Sequence, residues 1–421
     1  MSSGTTHRVV EAVWRIESAK LVAALARVTG DVGLAEELAQ DALVAALERW
    51  PETGVPDTPA AWLMATAKHR AVDVFRRAER LERKTAELAR ELVEAEEPDW
   101  AAALDEVVED DLLRLVFTAC HPVLSREARV ALTLRLLGGL TTAEIARAFL
   151  VPESTVAQRV VRAKRTLAAA EVPFELPTAA DLPARLGSVL EVVYLVFNEG
   201  YAATAGRDWT RPELCSEALR LGRVLAELTP GESEVHGLVA LMELQASRMR
   251  ARTGPDGAPV LLLDQDRARW DHVLVGRGLA ALRRAEQIGA GLGPYGLQAA
   301  IAACHARART AAETDWVRIA ALYEALAELA PSPVVELNRA VAVSRAYGPA
   351  AGLVIVDALT AVPALRGYHL LPAARGDLLL QLGRTAEARL EFEQAAALTR
   401  NERERTLLLD RAAGCAGAGS G

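Results

Sequence analysis

Aromatic residues are scarce in this 421-residue chain, at 5%, and its cysteines number only four. Strands draw on aromatic and β-branched side chains, while Ala, Leu, Glu and Arg favour helices. With hydrophobic residues at 51%, largely Ala and Leu, the composition predicts an all-α protein with ample core. Cys120, Cys215, Cys304 and Cys415 form no close pair, which supports neither a zinc ribbon nor a disulfide framework. Two stand in Cys-His dipeptides, Cys120-His121 and Cys304-His305, a pattern commoner among small buried helix residues than among metal ligands. No continuously apolar run reaches 18 residues, and the opening MSSGTTHRVVEA lacks an apolar stretch of signal-peptide length. A soluble, cytoplasmic protein without a membrane partner is expected. HExxH, GxSxG and GxxxxGK[ST] patterns are missing as well, so no catalytic residue, cofactor or metal ligand is assigned.

The net charge of -8 does not advertise a nucleic-acid binder, but its distribution is uneven. Residues 8–84 read as helices, broken once by PETGVPDTP at 51–59. Residues 85–111 carry eleven acids against the single base Arg90, the pattern of a solvated linker. Residues 112–171 are helical again and end in a basic run. Pro173 and Pro177, with Pro183 just after, mark 172–182 as a boundary, and an Ala/Leu-rich helical region follows over 183–413. The last residues, 414–421 (GCAGAGSG), read as a disordered tail.

Chemistry concentrates first in residues 141–167. Thr141 followed by Glu144 has the form of a capping box, and Ile145 and Phe149 share one helix face. Pro152 opens a second helix, where its missing N–H costs little. Val156, Val160, Ala163 and Leu167 follow helical spacing and should pack inward. Glu153, Ser154 and Thr155 then lie at the helix N-terminus, with Gln158, Arg159, Arg162 and Arg165 facing out. A recognition helix places its N-terminal residues on base edges in the major groove, Arg matching guanine, Gln matching adenine, and other cations holding phosphate. The bland alternative is a solvated basic face on an ordinary helix.

A second set lies upstream. In DVGLAEELAQDALVAALERW (31–50), Leu34, Leu38, Ala42 and Ala45 can face a core, while Glu37, Asp41 and Glu48 lie on an opposing side with Gln40 beside them. From Pro59 to Arg80, Trp62, Leu63, Ala67, Ala71 and Val74 are candidate core positions. Lys68, Arg70, Arg76, Arg77 and Arg80 begin a basic stretch that Arg83 and Lys84 extend. Such a helix can follow phosphates and support a flipped base.

Together these segments resemble the extracytoplasmic-function sigma factors. The run from Glu144-Ile-Ala to Arg162-Ala-Lys-Arg is similar to their region 4, and residues 31–50 and 59–80 to their regions 2.2 to 2.4. Leu150 and Ser154 stand where that family commonly has glycine. The resemblance implies that 1–84 binds the clamp helices of core RNA polymerase through Glu37, Gln40, Asp41 and Glu48, and the promoter -10 element through Lys68, Arg70, Arg76, Arg77 and Arg80. It further implies that 112–171, which also meets the polymerase flap, reads the -35 element through Glu153, Ser154, Thr155, Gln158, Arg159, Arg162 and Arg165. By the same token, residues 51–58 would form the pocket for the flipped base, and the acidic linker would thread through the polymerase.

Beyond the needs of a minimal factor lies the region 183–413. Gly376, Gly383, Ala388, Phe392 and Ala395 follow the small/large rhythm of a tetratricopeptide repeat, predicting stacked helix pairs with a concave face for a partner. Polar clusters stand out at 198–201 (NEGY), 264–271 (DQDRARWD) and 293–298 (GPYGLQ), with Cys304-His305 nearby in sequence. Converging, they would bind a small ligand; apart, they would be caps and interior hydrogen bonds. Three functional readings stay open. The chain is an initiation factor, or an enzymatic or ligand-binding protein with a DNA-binding head, or an initiation factor whose extension restrains it in place of a separate anti-sigma protein.

Overall fold

The structure is a computed structural model that describes residues 3–88, 110–149, 151–202, 205–206, 210–255, 258–289 and 291–417. Helices dominate the described residues, as the composition predicts; a two-residue parallel pairing joins Ala205–Gly206 (β1) to Arg400–Asn401 (β2), and an isolated bridge links Thr253 to Pro259. Packing divides the chain into two units, Met1–Val192 and Val193–Gly421.

In the first unit α1 (Ser3–Thr29), α2 (Val32–Thr53) and α3 (Pro59–Leu88) pack on one another. Gly30, at φ +65°, ends α1, and the Asp31 side chain caps α2 by accepting from the Gly33 and Leu34 N–H groups. The core joins Leu21, Leu25, Leu38, Ala42, Trp50, Leu63, Ala67 and Ala71. Two expectations need correction. Pro51 does not break α2, which runs on to Thr53 and stops at Gly54, φ +85°. The turn is therefore shorter than the sequence suggested, because Gly54 and not Pro51 supplies the left-handed exit. Val74, placed in the core by its spacing, is 36% exposed, so the buried face of α3 ends at Ala71, one turn earlier.

Region 112–171 forms α4 (Asp111–Ala119), α5 (Arg126–Leu136), α6 (Thr142–Phe149) and α7 (Glu153–Ala169). Ser125 caps α5 through the Ala128 N–H. The start of α8 (Leu182–Tyr201) is fastened to this group. Arg185 donates to the Phe117 carbonyl at 2.9 Å, the Ser188 hydroxyl donates to the Cys120 carbonyl at 2.6 Å, and Arg126 and Arg129 pair with Glu191. Burial pushes the Cys120 thiol up to about 11, so it stays protonated and acts as a small core residue.

The second unit continues with α9 (Pro212–Leu228), α10 (Ser233–Ala246), α11 (His272–Ile288), α12 (Pro294–Arg307), α13 (Trp316–Leu329), α14 (Pro333–Tyr347), α15 (Pro349–Leu359), α16 (Leu370–Gln381), α17 (Thr385–Leu398) and α18 (Glu402–Gly417). From α13 onward each helix packs on the next in chain order, the arrangement of a solenoid. A Cβ added at Gly376 would come within 2.9 Å of the Phe392 ring, so the glycine lets α16 close on α17, where Ala388, Phe392 and Ala395 are wholly buried. Gly383, at φ +74°, turns the chain between the two helices. The expected tail is partly wrong: α18 extends to Gly417, and Cys415 is buried against the same cluster, which its small side chain fits. All four cysteines are free and buried. No helix among the described residues is long and apolar enough to cross a membrane.

Candidate nucleic-acid interface

The capping box closes reciprocally. Glu144 Oε2 accepts from the Thr141 N–H at 2.8 Å, and the Glu144 N–H donates to Thr141 Oγ1 at 3.1 Å, starting α6 cleanly. Leu150, in the turn, lies outside the described residues. Pro152 sits just before α7, whose buried side is Val156, Val160, Ala163 and Leu167. That apolar stripe fixes what the other side presents. Glu153, Ser154, Gln158, Arg162 and Arg165 are exposed, and Thr155 and Arg159 half-buried. Six of these seven positions fall within the first ten residues of the helix; Arg165 lies further along its outward face. Arg159 acts electrostatically on Glu127 of α5, helping Ser125 and the backbone hold that carboxyl below its ordinary range. Arg162 and Arg165 carry no ion pair among the described residues.

Lys164, on the same helix, behaves differently. It turns inward to Glu36 of α2, Nζ to Oε2 at 2.5 Å, while Arg135 of α5 reaches Glu36 Oε1 at 2.6 Å. Glu36 is 3% exposed and also accepts from Gln40. One buried carboxylate thus ties α2 to α5 and α7. Sequence reasoning passed over Glu36, although it interrupts the apolar stripe Val32, Glu36, Ala39 at helical spacing, the signature of an acid with buried partners. A second tie joins Arg27 of α1 to Asp111 at 2.9 Å, with Arg114 on the other carboxylate oxygen.

On α2, Glu37, Asp41 and Glu48 are exposed and Gln40 half-buried. Asp41 pairs with Arg70 of α3 at 3.0 Å, which brings one residue of the expected polymerase face against one of the expected DNA face. Lys68 and Arg70 are half-buried and Arg76 exposed; the side chains of Arg77 and Arg80 lie outside the described residues, as does most of the acidic segment 85–111. Trp62 is half-buried and meets the fully buried Trp50 edge to face, centroids 5.4 Å apart, consistent with a core role.

Comparison with known families adds two matches that bracket this geometry. Sigma-70 region 2 matches residues 16–81 and sigma-70 region 4 matches residues 114–167, with residues 82–113 alone between them. The chain is a sigma factor of the extracytoplasmic-function type. In this sigma factor a third match, to the family of unknown function DUF6596, covers residues 185–286 and so begins the extension. An uncharacterised protein of Rhizobium meliloti (strain 1021) is 46% identical over 385 residues, 90% of each chain, so the likeness extends through both sigma regions and most of the extension. No solved structure matches. These are the regions of a transcription factor rather than an enzyme, and they serve promoter recognition.

Proposed function

We propose that this sigma factor binds core RNA polymerase and directs it to a restricted set of promoters, reading two elements and opening the duplex without covalent chemistry. Region 4, over 112–171, reads the -35 element: Glu153, Ser154, Thr155 and Gln158 meet base edges, and Arg159, Arg162 and Arg165 divide between guanine and phosphate. Region 2, over 1–84, reads the -10 element with Lys68, Arg70, Arg76, Arg77 and Arg80. It docks on the polymerase clamp helices with Glu37, Gln40, Asp41 and Glu48, and region 4 meets the flap. The acidic segment 85–111 links the two, and 172–182 leads to the extension at 183–413. The extension regulates the factor in place of a separate anti-sigma protein, and the whole acts in the cytoplasm.

The observation that carries the reading is α7. Its apolar side is buried and its outward side is polar and basic, with Arg162 and Arg165 exposed and outside any ion pair among the described residues. The test is binding of the purified factor to promoter DNA in complex with core polymerase. Arg162→Ala and Arg165→Ala should each weaken promoter affinity without weakening affinity for polymerase. Equal promoter affinity in both variants would place the reader elsewhere.

A further inference from the structure

Between α10 and α11 the chain folds back on itself and ends against the solenoid. The Val260 N–H donates to the Arg252 carbonyl at 2.8 Å and the Gly254 N–H to the Ala258 carbonyl at 2.9 Å, around the Thr253–Pro259 bridge. The chain then runs extended through Leu261 into a short helical turn at Leu262–Asp264. Pro259, Val260 and Leu261, on this strap, line a cavity of about 300 Å3 together with α14, α16 and α18.

Those three helices alternate along the solenoid, and each turns one face to the cavity. Asn338 and Val341 come from α14, Leu378 and Gln381 from α16, Leu408 and Arg411 from α18, so every helix sets an apolar side chain one turn from a polar one. The floor belongs to the core, since Leu378 and Leu408 are buried in the cluster that holds Phe392. The polar groups fall into two classes. Arg411 pairs with Asp377, and His369 with Glu404 at 3.0 Å, so these are satisfied within the fold. Asn338 and Gln381 are exposed, and their amides make no hydrogen bond among the described residues. An amide carries both a donor and an acceptor, the same pair that each residue of an extended backbone presents.

The strap occupies this groove without filling it. Its main chain is held at one end, where Gln265 Nε2 donates to the Val260 carbonyl at 3.1 Å. Its side chains are less committed: Pro259 and Val260 are half-buried and Leu261 is 44% exposed. Aliphatic groups left part-wet beside an unfilled apolar wall forgo burial that a closer-fitting occupant would gain. Charge follows the same line. Burial works against the guanidinium charge of Arg411, while Cys415 and Asp264, the acid at the end of the strap, work the other way. Asp266 and Asp271, the next acids along, are taken up instead as caps on Ala268 and on Val273 and Leu274.

We propose that this groove is a docking site for an extended peptide of a partner protein, rich in branched aliphatic residues and ending in an acid, and that the strap 259–264 is its built-in competitor. The strap's own sequence, PVLLLD, samples that chemistry. An incoming peptide fills the cavity against Val341, Leu378 and Leu408, meets the Asn338 and Gln381 amides with its backbone, and sets its acid where Asp264 now faces Arg411. The groove gives the regulatory role of the extension a point of entry but does not depend on that role, because its test reads binding alone.

The test is calorimetric titration of the full-length protein with the synthetic peptide APVLLLDQD, the sequence of residues 258–266. Saturable one-site binding is expected. Val260→Ser/Leu261→Ser, which weakens the competing strap, should bind about tenfold more tightly if the strap holds the groove in about nine molecules of ten. Asn338→Ala/Gln381→Ala, at exposed positions that the fold does not use, should bind about tenfold more weakly, and a peptide carrying Asp264→Asn should also lose affinity. In the unaltered protein, saturating peptide should speed hydrogen exchange across 260–264 as the strap lifts, a readout that needs no variant to fold. No saturable heat with the unaltered protein at peptide concentrations up to about 1 mM would overturn the site. So would equal binding of a scrambled peptide, or undiminished binding in Asn338→Ala/Gln381→Ala. Unchanged exchange across 260–264 with peptide bound would overturn the competitor. A dimer in sedimentation velocity that the peptide dissolves would hand the groove to a second copy of this chain and overturn the foreign partner.

Discussion

Arg162 and Glu36 occupy opposite extremes of one site. Arg162 is exposed and supports nothing in the fold, so Arg162→Ala should leave thermal stability unchanged. It should cost about 1–3 kcal/mol of promoter affinity where it reads a base, or flatten the salt dependence where it holds a phosphate. Promoter-binding titrations at two salt concentrations separate the two. Glu36, by contrast, is buried beneath Arg135 and Lys164. Glu36→Gln leaves two cations facing a neutral group and should destabilise the first unit by about 3 kcal/mol, measured by urea unfolding. Arg162 was legible because a stripe of Val156, Val160, Ala163 and Leu167 assigns the remaining positions to solvent. Glu36 was not, because one acid among several on α2 looks solvated until its distant partners, 99 residues on in the case of Arg135, are placed. His305 supplies a pH signature. It stays neutral in the fold down to about 3, whereas the unfolded chain takes up a proton near 6.5. The unfolded state binds more protons in that window, so stability falls as pH drops from 6.5 toward 3, by about 1.4 kcal/mol per pH unit from this group. His305→Gln should flatten that slope in urea titrations at pH 7 and pH 5.

At the scale of elements, local rules carried far where one residue decides an outcome. The Thr141–Glu144 box formed as its spacing required. The Gly376, Ala388, Phe392, Ala395 rhythm closed α16 on α17, because only a residue without Cβ admits the Phe392 ring. Gly376→Val should therefore force the two helices apart and cost about 1–3 kcal/mol, and Phe392→Ala, which empties the contact instead, about 3–5 kcal/mol. Either is read as a loss of helical signal at lower denaturant. Local rules failed where tertiary packing chose between permitted options. Pro51 is tolerated inside α2, with the turn made at Gly54, and the GCAG run continues α18 because Cys415 finds a buried seat there.

For the molecule as a whole, sigma regions 2 and 4 occupy the first unit and the long extension fills the second, an order that the Rhizobium meliloti relative shares over 90% of its length. Fold class and family were legible because helix propensity, capping and two motifs in the right order all agree. The chemistry of the extension was only half legible. Its polar clusters announced themselves in sequence, but that 198–201 and 264–271 meet over Arg248 while 293–298 serves Glu234 depends on how α8, α10 and α12 pack. If the extension regulates, removing residues 193–421 should change the yield of promoter-directed transcript at equal holoenzyme concentration. An unchanged yield would leave regulation without support.

Promoter recognition through α7 in complex with polymerase is measured by run-off transcription with purified core RNA polymerase, paired with a pull-down. Full-length protein is compared with the double variant Arg159→Ala/Arg162→Ala. The full-length protein should give a specific start, and the variant should still bind polymerase but no longer initiate there. Failure of the full-length protein to associate with polymerase, or initiation undiminished in the variant, would contradict it.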